Sequence, residues 1–592
     1  MRTVHSSSLV IVLVAGLFLA GCGGTDATVD ADTDSETTQP PELSEAPELV
    51  QEYQALLDPE EMAARMYYLA SDRFEGRETA MPGQHKAAEY LASQYRKMGV
   101  APKGTVEAED PRAPEAYFQE FTVYGTRTTH ASLTATQQTD TLATGTYDTT
   151  LPNTSTTFLP LGTLPEQEGG LIFAGYGIGQ SNFNDYNALD DAGLTVDGDW
   201  LMFLRSDPVH DDGTHLFTGT DEPSTWTDGL NRKLQIVRDL GRFGDGEPAA
   251  GVLIVADIGP KAVDVTERAR ILADYNEPGS MSLTEEEDSS TFPVYMVSTE
   301  FADALLAEAD QSVETIQQEV LATESPVVFD VPDVTVDSRL ERTPYAKPTD
   351  NVVAHIEGSD PDLKDEVIVI TSHYDHIGLE QTGPQDNYIN NGADDNASGT
   401  IATVALAEAF RAAKDDGYGP RRSLLFLNVS AEEKGLLGSA YYADEEPIYP
   451  LEQTVANLNL DMIGRVDPSY PELPDSNYVY VIGGNLISDD LDAINREANA
   501  LTGIDYTLHE RYNDPNDPQA LYRRSDQWNF GKHNIPFIFY FSGLHDDYHD
   551  VGDEAHKIDY ERMAERTRLV FGTTWQLANQ DDRPAVTGEG FH

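Results

Sequence analysis

The chain has 592 residues, and its 103 Asp plus Glu against 38 Lys plus Arg give a net charge of −65. That excess argues against nucleic acid and anionic membrane surfaces as partners, because a polyanion lacks the basic footprint that counterion release requires. Acids spread along the whole chain suit a halophilic, high-salt surface, and the length with 39% hydrophobic residues predicts two or three folded domains.

Taken in chain order, Arg2 precedes the apolar run Leu9 to Ala20. The run is too short to span a bilayer as a stable helix and has the length of a signal-peptide core. It ends in Leu19-Ala20-Gly21-Cys22, which resembles a bacterial lipobox, so residues 1–21 are expected to be removed and Cys22 to carry a lipid. An exported protein anchored at the cell envelope follows, and Gly23 in place of Asp points towards the outer membrane. Residues 22–47 read as a flexible acidic tether. Cys22 is the only cysteine. Disulfides and thiolate metal sites are thereby excluded, and any metal must be held by His, Asp and Glu.

Helices are expected over Asp58 to Ala70 and Pro82 to Met98, the second with Ala87, Leu91, Tyr95 and Met98 at helical spacing and Gly99 as its stop. Both fall in residues 48–149, read as the N-terminal part of a catalytic domain. Within 150–335 the pattern shifts to short apolar runs, Leu171–Ala174, Trp200–Leu204, Val252–Val255 and Pro293–Val297, with a helix at Thr299 to Glu308. A β-rich inserted domain is the simplest account.

Residues 336–580 alternate strand and helix: Val367–Ile370, helix Ser398–Phe410, Leu424–Leu427, Asn457–Leu460, Tyr478–Ile482, a helix near Asp489 to Ala498, and Pro536–Tyr540. Continuous apolar runs mean a sheet covered on both faces, hence an α/β domain with a mostly parallel central sheet, followed by a tail over 581–592. Ligands in such sheets sit beyond the carboxyl ends of the strands.

The candidate ligands fall at those ends or in the loop between them. His373 follows the Val367 run, Glu433 the Leu424 run, Asp461 the Asn457 run and His549 the Pro536 run, while Asp395 lies in the Gly-bounded loop Gly392 to Gly399. Two divalent ions need a bridging carboxylate plus a His and a carboxylate each, which two His and three carboxylates supply. His376 and His545 are further candidates, read as supporting or surface groups.

The motifs His373-Tyr-Asp375, Gly392-Ala-Asp-Asp-Asn-Ala-Ser-Gly399, Ala431-Glu-Glu-Lys-Gly-Leu-Leu-Gly-Ser439, Asn459-Leu-Asp-Met-Ile-Gly464 and Asp547-Tyr-His549 resemble the bacterial di-zinc aminopeptidase family. That family also holds carboxypeptidases, glutaminyl cyclases and non-catalytic receptors. The likeness runs from about Asp58 to Trp575 and includes Leu69-Ala-Ser-Asp-Arg-Phe-Glu-Gly-Arg77; the insertion resembles a protease-associated domain through Ala174-Gly-Tyr-Gly177.

The resemblance implies two zinc ions bridged by Asp395, one completed by His373 and Asp461, the other by Glu433 and His549. It implies Glu432 as general base acting on a water that bridges the ions, and Asp375 as the group orienting His373. Tyr548 is a candidate donor to the developing oxyanion. Ser525-Asp526 should line the site. The chain departs from the family's pattern at Gln527 and Trp528, which leaves substrate preference open.

The expected activity is an aminopeptidase acting on peptides. The alternatives are a carboxypeptidase or dipeptidase on the same ions, in which Arg465, Arg523 or Arg524 would hold a free carboxylate, and a receptor-like relative without catalysis. The inserted domain is expected to gate or orient peptides.

Overall fold

The strand Val367–His373 is buried along its whole length. It lies in the middle of a parallel group whose order is Ser423–Val429, Val367–His373, Thr454–Leu460 and Phe537–Phe541. Every residue of these strands is buried, so neither sheet face meets water, and helices must cover both. After the Val367 strand the chain moves to one side, to the Ser423 strand, and then crosses back to the Thr454 strand. The reversal opens a crevice at the carboxyl ends, where ligands bind in open α/β sheets. Beyond the parallel group the pairing turns antiparallel, through Tyr478–Ile482 on one side and Val334–Ile356 on the other.

The computed structural model describes residues 40–588 apart from 151–156, 162–165, 211, 228–229, 244–247, 260–261, 276–278, 286–292, 381–386, 469–476 and 515. The signal sequence, Cys22 and most of the tether lie outside the described residues. Among the described residues no helix is long and apolar enough to cross a membrane.

The helix Pro82–Met98 has the expected bounds, and Gly99 closes it in the left-handed region at φ 74°. The helix Gly399–Asp415, rich in Ala, is buried over nearly its whole length against the sheet. Its Phe410 stacks on Phe571 at 4.3 Å from the long helix Tyr560–Asn579, and Trp575 of that helix stacks on Tyr53 at 6.0 Å. Such ring pairs add about 0.5–1.5 kcal/mol each beyond their burial, which fastens the two termini of the described chain onto one core. This C-terminal helix was not anticipated.

Between the antiparallel strands Phe118–Gln137 and Val334–Ile356 the chain builds a six-stranded sheet. Four of its strands, Leu171–Ala174, Trp200–Leu204, Gly251–Val255 and Val294–Val297, run parallel. Helices Asp185–Ala192, Leu230–Phe243, Val265–Tyr275, Thr299–Leu306 and Val313–Thr323 interleave with them or follow them, so this part is more helical than its strand rhythm suggests. It has its own apolar core around Phe173, Trp200, Phe203 and Ile254. Its helix Val265–Tyr275 reaches the loop behind His376: Arg268 donates to the Glu380 carbonyl and lies 5.4 Å over the Tyr388 ring.

Candidate metal centre

The parallel strands deliver the site residues to one place. His373 is the last residue of its strand, and Asp461 directly follows the Thr454–Leu460 strand. Glu432 and Glu433 come just after Val429, and His549 lies beyond the strand Phe537–Phe541. A left-handed Gly392 opens the Asp395 loop at φ 54°. A Cβ there would lie 2.2 Å from the Asp395 carbonyl oxygen and 2.5 Å from the His376 ring, so the tight turn that presents Asp395 needs glycine.

His373 Nε2 lies 3.3 Å from both Asp395 Oδ1 and Asp461 Oδ1. On the other side of Asp395, His549 Nε2 is 3.0 Å from Asp395 Oδ2 and 3.1 Å from Glu433 Oε2. Three donor groups result among the described residues, His373/Asp395/Asp461, Asp395/Glu433/His549 with His376, and His373/Glu432/Glu433, and the first two share Asp395. Ligand atoms within each group lie within 4.8 Å of one another. All five residues proposed as ligands are brought together, and Glu432 Oε2 stands 4.0 Å from His373 Nε2.

The donor set fits divalent ions: imidazole and carboxylate without sulfur suit zinc and its neighbours. The electrostatics agree. Burial disfavours an imidazolium at His549, yet Glu433 and Asp395 outweigh it and push the ring up to about 10. His373 is likewise held well above its usual value by Asp461, Glu432 and Asp395 against the effect of burial. The clustered carboxylates call for positive charge at these positions. Burial, with Glu433, Asp461 and Asp526 adding to it, raises the Glu432 carboxyl well above the carboxylate range.

His376 and His545 are not at the surface; both are buried. His376 Nδ1 lies 2.7 Å from Glu433 Oε1, leaving Oε2 to face His549. His545 lies 3.4 Å from Asp394, on the far side of the Asp395 loop. Asp375 meets His373 differently from expectation, since its backbone carbonyl is 3.2 Å from Nδ1 while its carboxylate stands off at 3.8 Å. That carboxylate is engaged elsewhere, accepting from the Thr79 hydroxyl at 2.8 Å and the Glu432 N–H at 3.2 Å. It thus ties the His373 strand end to the Glu432 loop.

Ser525 donates to Asp461 Oδ2 at 2.6 Å and fixes that carboxylate, while Asp526 is buried and accepts from Ser439 at 2.6 Å. Tyr548 stacks on His549 with ring centres 4.0 Å apart, and its hydroxyl accepts from Arg524 at 3.1 Å.

Two residues that sequence reasoning gave no role complete the site. Asp553 accepts from the N–H groups of Asp394 and Asp395 at 2.9–3.0 Å, holding the loop that presents the shared carboxylate. Replacing Asp553 by Ala should therefore weaken metal binding by about 10–100-fold, the usual loss when a ligand's support is removed; zinc titration against a chromophoric chelator measures it. Arg77 is completely buried, and its guanidinium donates to the backbone carbonyls of Tyr374 at 2.8 Å, Asn391 at 2.6 Å, Gly392 at 2.8 Å and Leu69 at 3.3 Å. Burial pulls it down to about 10, while Asp395, Asp553, Asp375 and Glu433 oppose the shift.

Comparison with known families matches residues 351–574 to peptidase family M28. Over these residues the chain is similar to the M28 peptidases. Leucine aminopeptidase 2 of Arthroderma otae is 28% identical over 252 residues, covering 39% of this chain and 45% of that protein. The chain spans less than half the length of the curated relatives it matches. Among solved structures, the aminopeptidase from Aneurinibacillus sp. strain AM-1 aligns with 17% identity and a TM-score of 0.47 over 92% of this chain and 99% of that one. The zinc aminopeptidase of Bacillus subtilis aligns with 16% identity and a TM-score of 0.47 over 88% of this chain and 95% of that one.

Proposed function

We propose that this chain is a zinc-dependent aminopeptidase that removes N-terminal residues from peptides. The observation that carries the reading is Asp395 shared between two donor groups, with Glu432 beside one of them and facing an open groove. His373 and Asp461 would hold one ion and Glu433 and His549 the other; bound zinc would supply Lewis acidity and acidify a water. Glu432 takes the proton of the attacking water and passes it to the leaving amine, a transfer suited to a buried carboxyl whose affinity for a proton is raised. Tyr548, at the edge of the same groove, donates to the oxygen that becomes negative. A small recess lined by Met462, Leu521, Phe539, Phe541 and Leu544 adjoins Asp461 and Glu432, and would take an apolar first side chain.

A second reading, recognition of a free C-terminal carboxylate by a carboxypeptidase or dipeptidase, draws support from Arg523 and Arg524, which line the groove. Arg465 does not serve it, being bound to Asp547 at 2.9 Å. Amino-acid anilides assayed beside N-blocked peptides decide between the two: cleavage of anilides is expected, and activity on the blocked set alone would sink the aminopeptidase reading. Export and anchorage through a lipid on Cys22 belong to the same proposal, supported by Leu19-Ala20-Gly21-Cys22. A Cys22→Ala variant that stays in the membrane fraction would refute the anchor.

A further inference from the structure

The groove beside Glu432 has a volume of about 490 Å³, in the range of ligand sites. Its charges are unequally arranged. Glu432 and Glu433 line the end at the metal centre, while the other ionisable groups along it, apart from Tyr548, are the guanidinium groups of Arg523 and Arg524. In a chain with 38 basic residues against 103 acidic ones, adjacent arginines next to a site are a local reversal of sign. Both side chains are exposed and both are held against rings, Arg523 at 5.1 Å over Trp528 and Arg524 at 5.9 Å over Tyr548.

The apolar recess and the groove share Glu432, Arg524 and Tyr548, so a scissile bond placed at Glu432 has the recess on one side and the groove with Arg523 on the other, with Arg524 at the junction of the two. Each further residue carries a peptide about 3.3–3.6 Å along the groove, which brings a carboxylate one or two residues past the bond into the reach of a guanidinium. Resting on the aminopeptidase reading, we propose that Arg523 and Arg524 form a carboxylate-binding subsite on the leaving side. Its substrates are short peptides that carry a carboxylate just beyond the bond to be cut, either as the C-terminus of a di- or tripeptide or as an acidic side chain. The arginine fork matches that group in shape as well as charge. It also offsets the repulsion that a polyanionic surface exerts on an anionic substrate.

The test uses the zinc-loaded enzyme and compares kcat/KM for Leu-Gly-Gly as free acid and as amide, and for Leu-Asp-amide against Leu-Asn-amide, with leucine 4-nitroanilide as the substrate that lacks a carboxylate. A preference of about tenfold for the carboxylate member of at least one pair is expected, and the pair that shows it identifies the source. In the double variant R523Q/R524Q that ratio should fall to near one, while R523K/R524K keeps part of it. Equal rates within both pairs, or a preference that survives the double glutamine variant, would overturn the subsite. Loss of the anilide reaction in the wild type would instead refute the aminopeptidase reading beneath it.

Discussion

Replacing Glu432 by Gln should lower turnover by about 10²–10⁴, the contribution expected of a positioned general base, while the zinc content of the protein stays that of the wild type. The amide keeps the volume and neutral polarity of a protonated carboxyl, so the cavity and the neighbouring strand ends are preserved. What it loses is the capacity to accept and return a proton. The carboxyl stands 4.0 Å from His373, and the Glu432 N–H is fixed by the Asp375 carboxylate, so the group is held in place by its own backbone as well as by its surroundings. Turnover measured with an anilide, together with metal analysis of the same preparation, separates the two effects. A variant with full metal and unchanged turnover would remove Glu432 from the reaction; one that loses metal would make it a ligand instead of a base.

Arg77→Met is expected to cost about 3 kcal/mol or more of stability, since it strips donors from several buried carbonyls, each of which costs about 1–3 kcal/mol when left unmade. The lost charge adds to this, because the guanidinium lies within the influence of Asp395, Asp553, Asp375 and Glu433 and offsets part of their mutual repulsion. The same side chain joins the turn after His373 to the turn before Asp395, so its loss should loosen the two donor groups that share Asp395 at once. Guanidinium unfolding with and without a chelator reads the two consequences, a lower midpoint in both conditions and a smaller gap between them, since a metal held more weakly stabilises the fold less. Arg77→Lys should restore charge but reach fewer carbonyls, and fall between the two. A midpoint unchanged in the methionine variant would refute the clamp.

Much of this site is legible in the sequence because its chemistry sits where strands stop. A strand buried on both faces must be apolar, so the change from Val367-Ile-Val-Ile to His373, or from Leu458-Asn-Leu to Asp461, marks the place where the apolar part of the strand gives way to the crevice at its carboxyl end. His376 escaped that reasoning because nothing local distinguishes a histidine facing a ligand from one facing solvent. Arg77 and Asp553 escaped it for a different reason. Their partners are backbone groups roughly three hundred and one hundred and sixty residues away, and a donor to a carbonyl or an acceptor from an N–H needs no particular partner residue type.

The strand Val334–Ile356 was hidden by Pro344 and Pro348, which read as breakers. Its neighbour Phe118–Gln137 is rich in Thr and half exposed, and carries no continuous apolar run. The structure pairs the two along almost their whole length.

That pairing has a consequence for how the chain is made. Val334 pairs with Gln137 across roughly two hundred intervening residues, and the parallel strands that lead to the proposed ligands are all synthesised after them. Closing so long a loop from an unfolded chain is entropically unfavourable and slow. An intervening segment with its own core shortens that loop to the distance between its ends once it has folded. An insertion that folds as it leaves the ribosome would bring Phe118–Gln137 and Val334–Ile356 side by side before the parallel strands are made, and their pairing would present the edge on which the Ser423–Val429 strand adds.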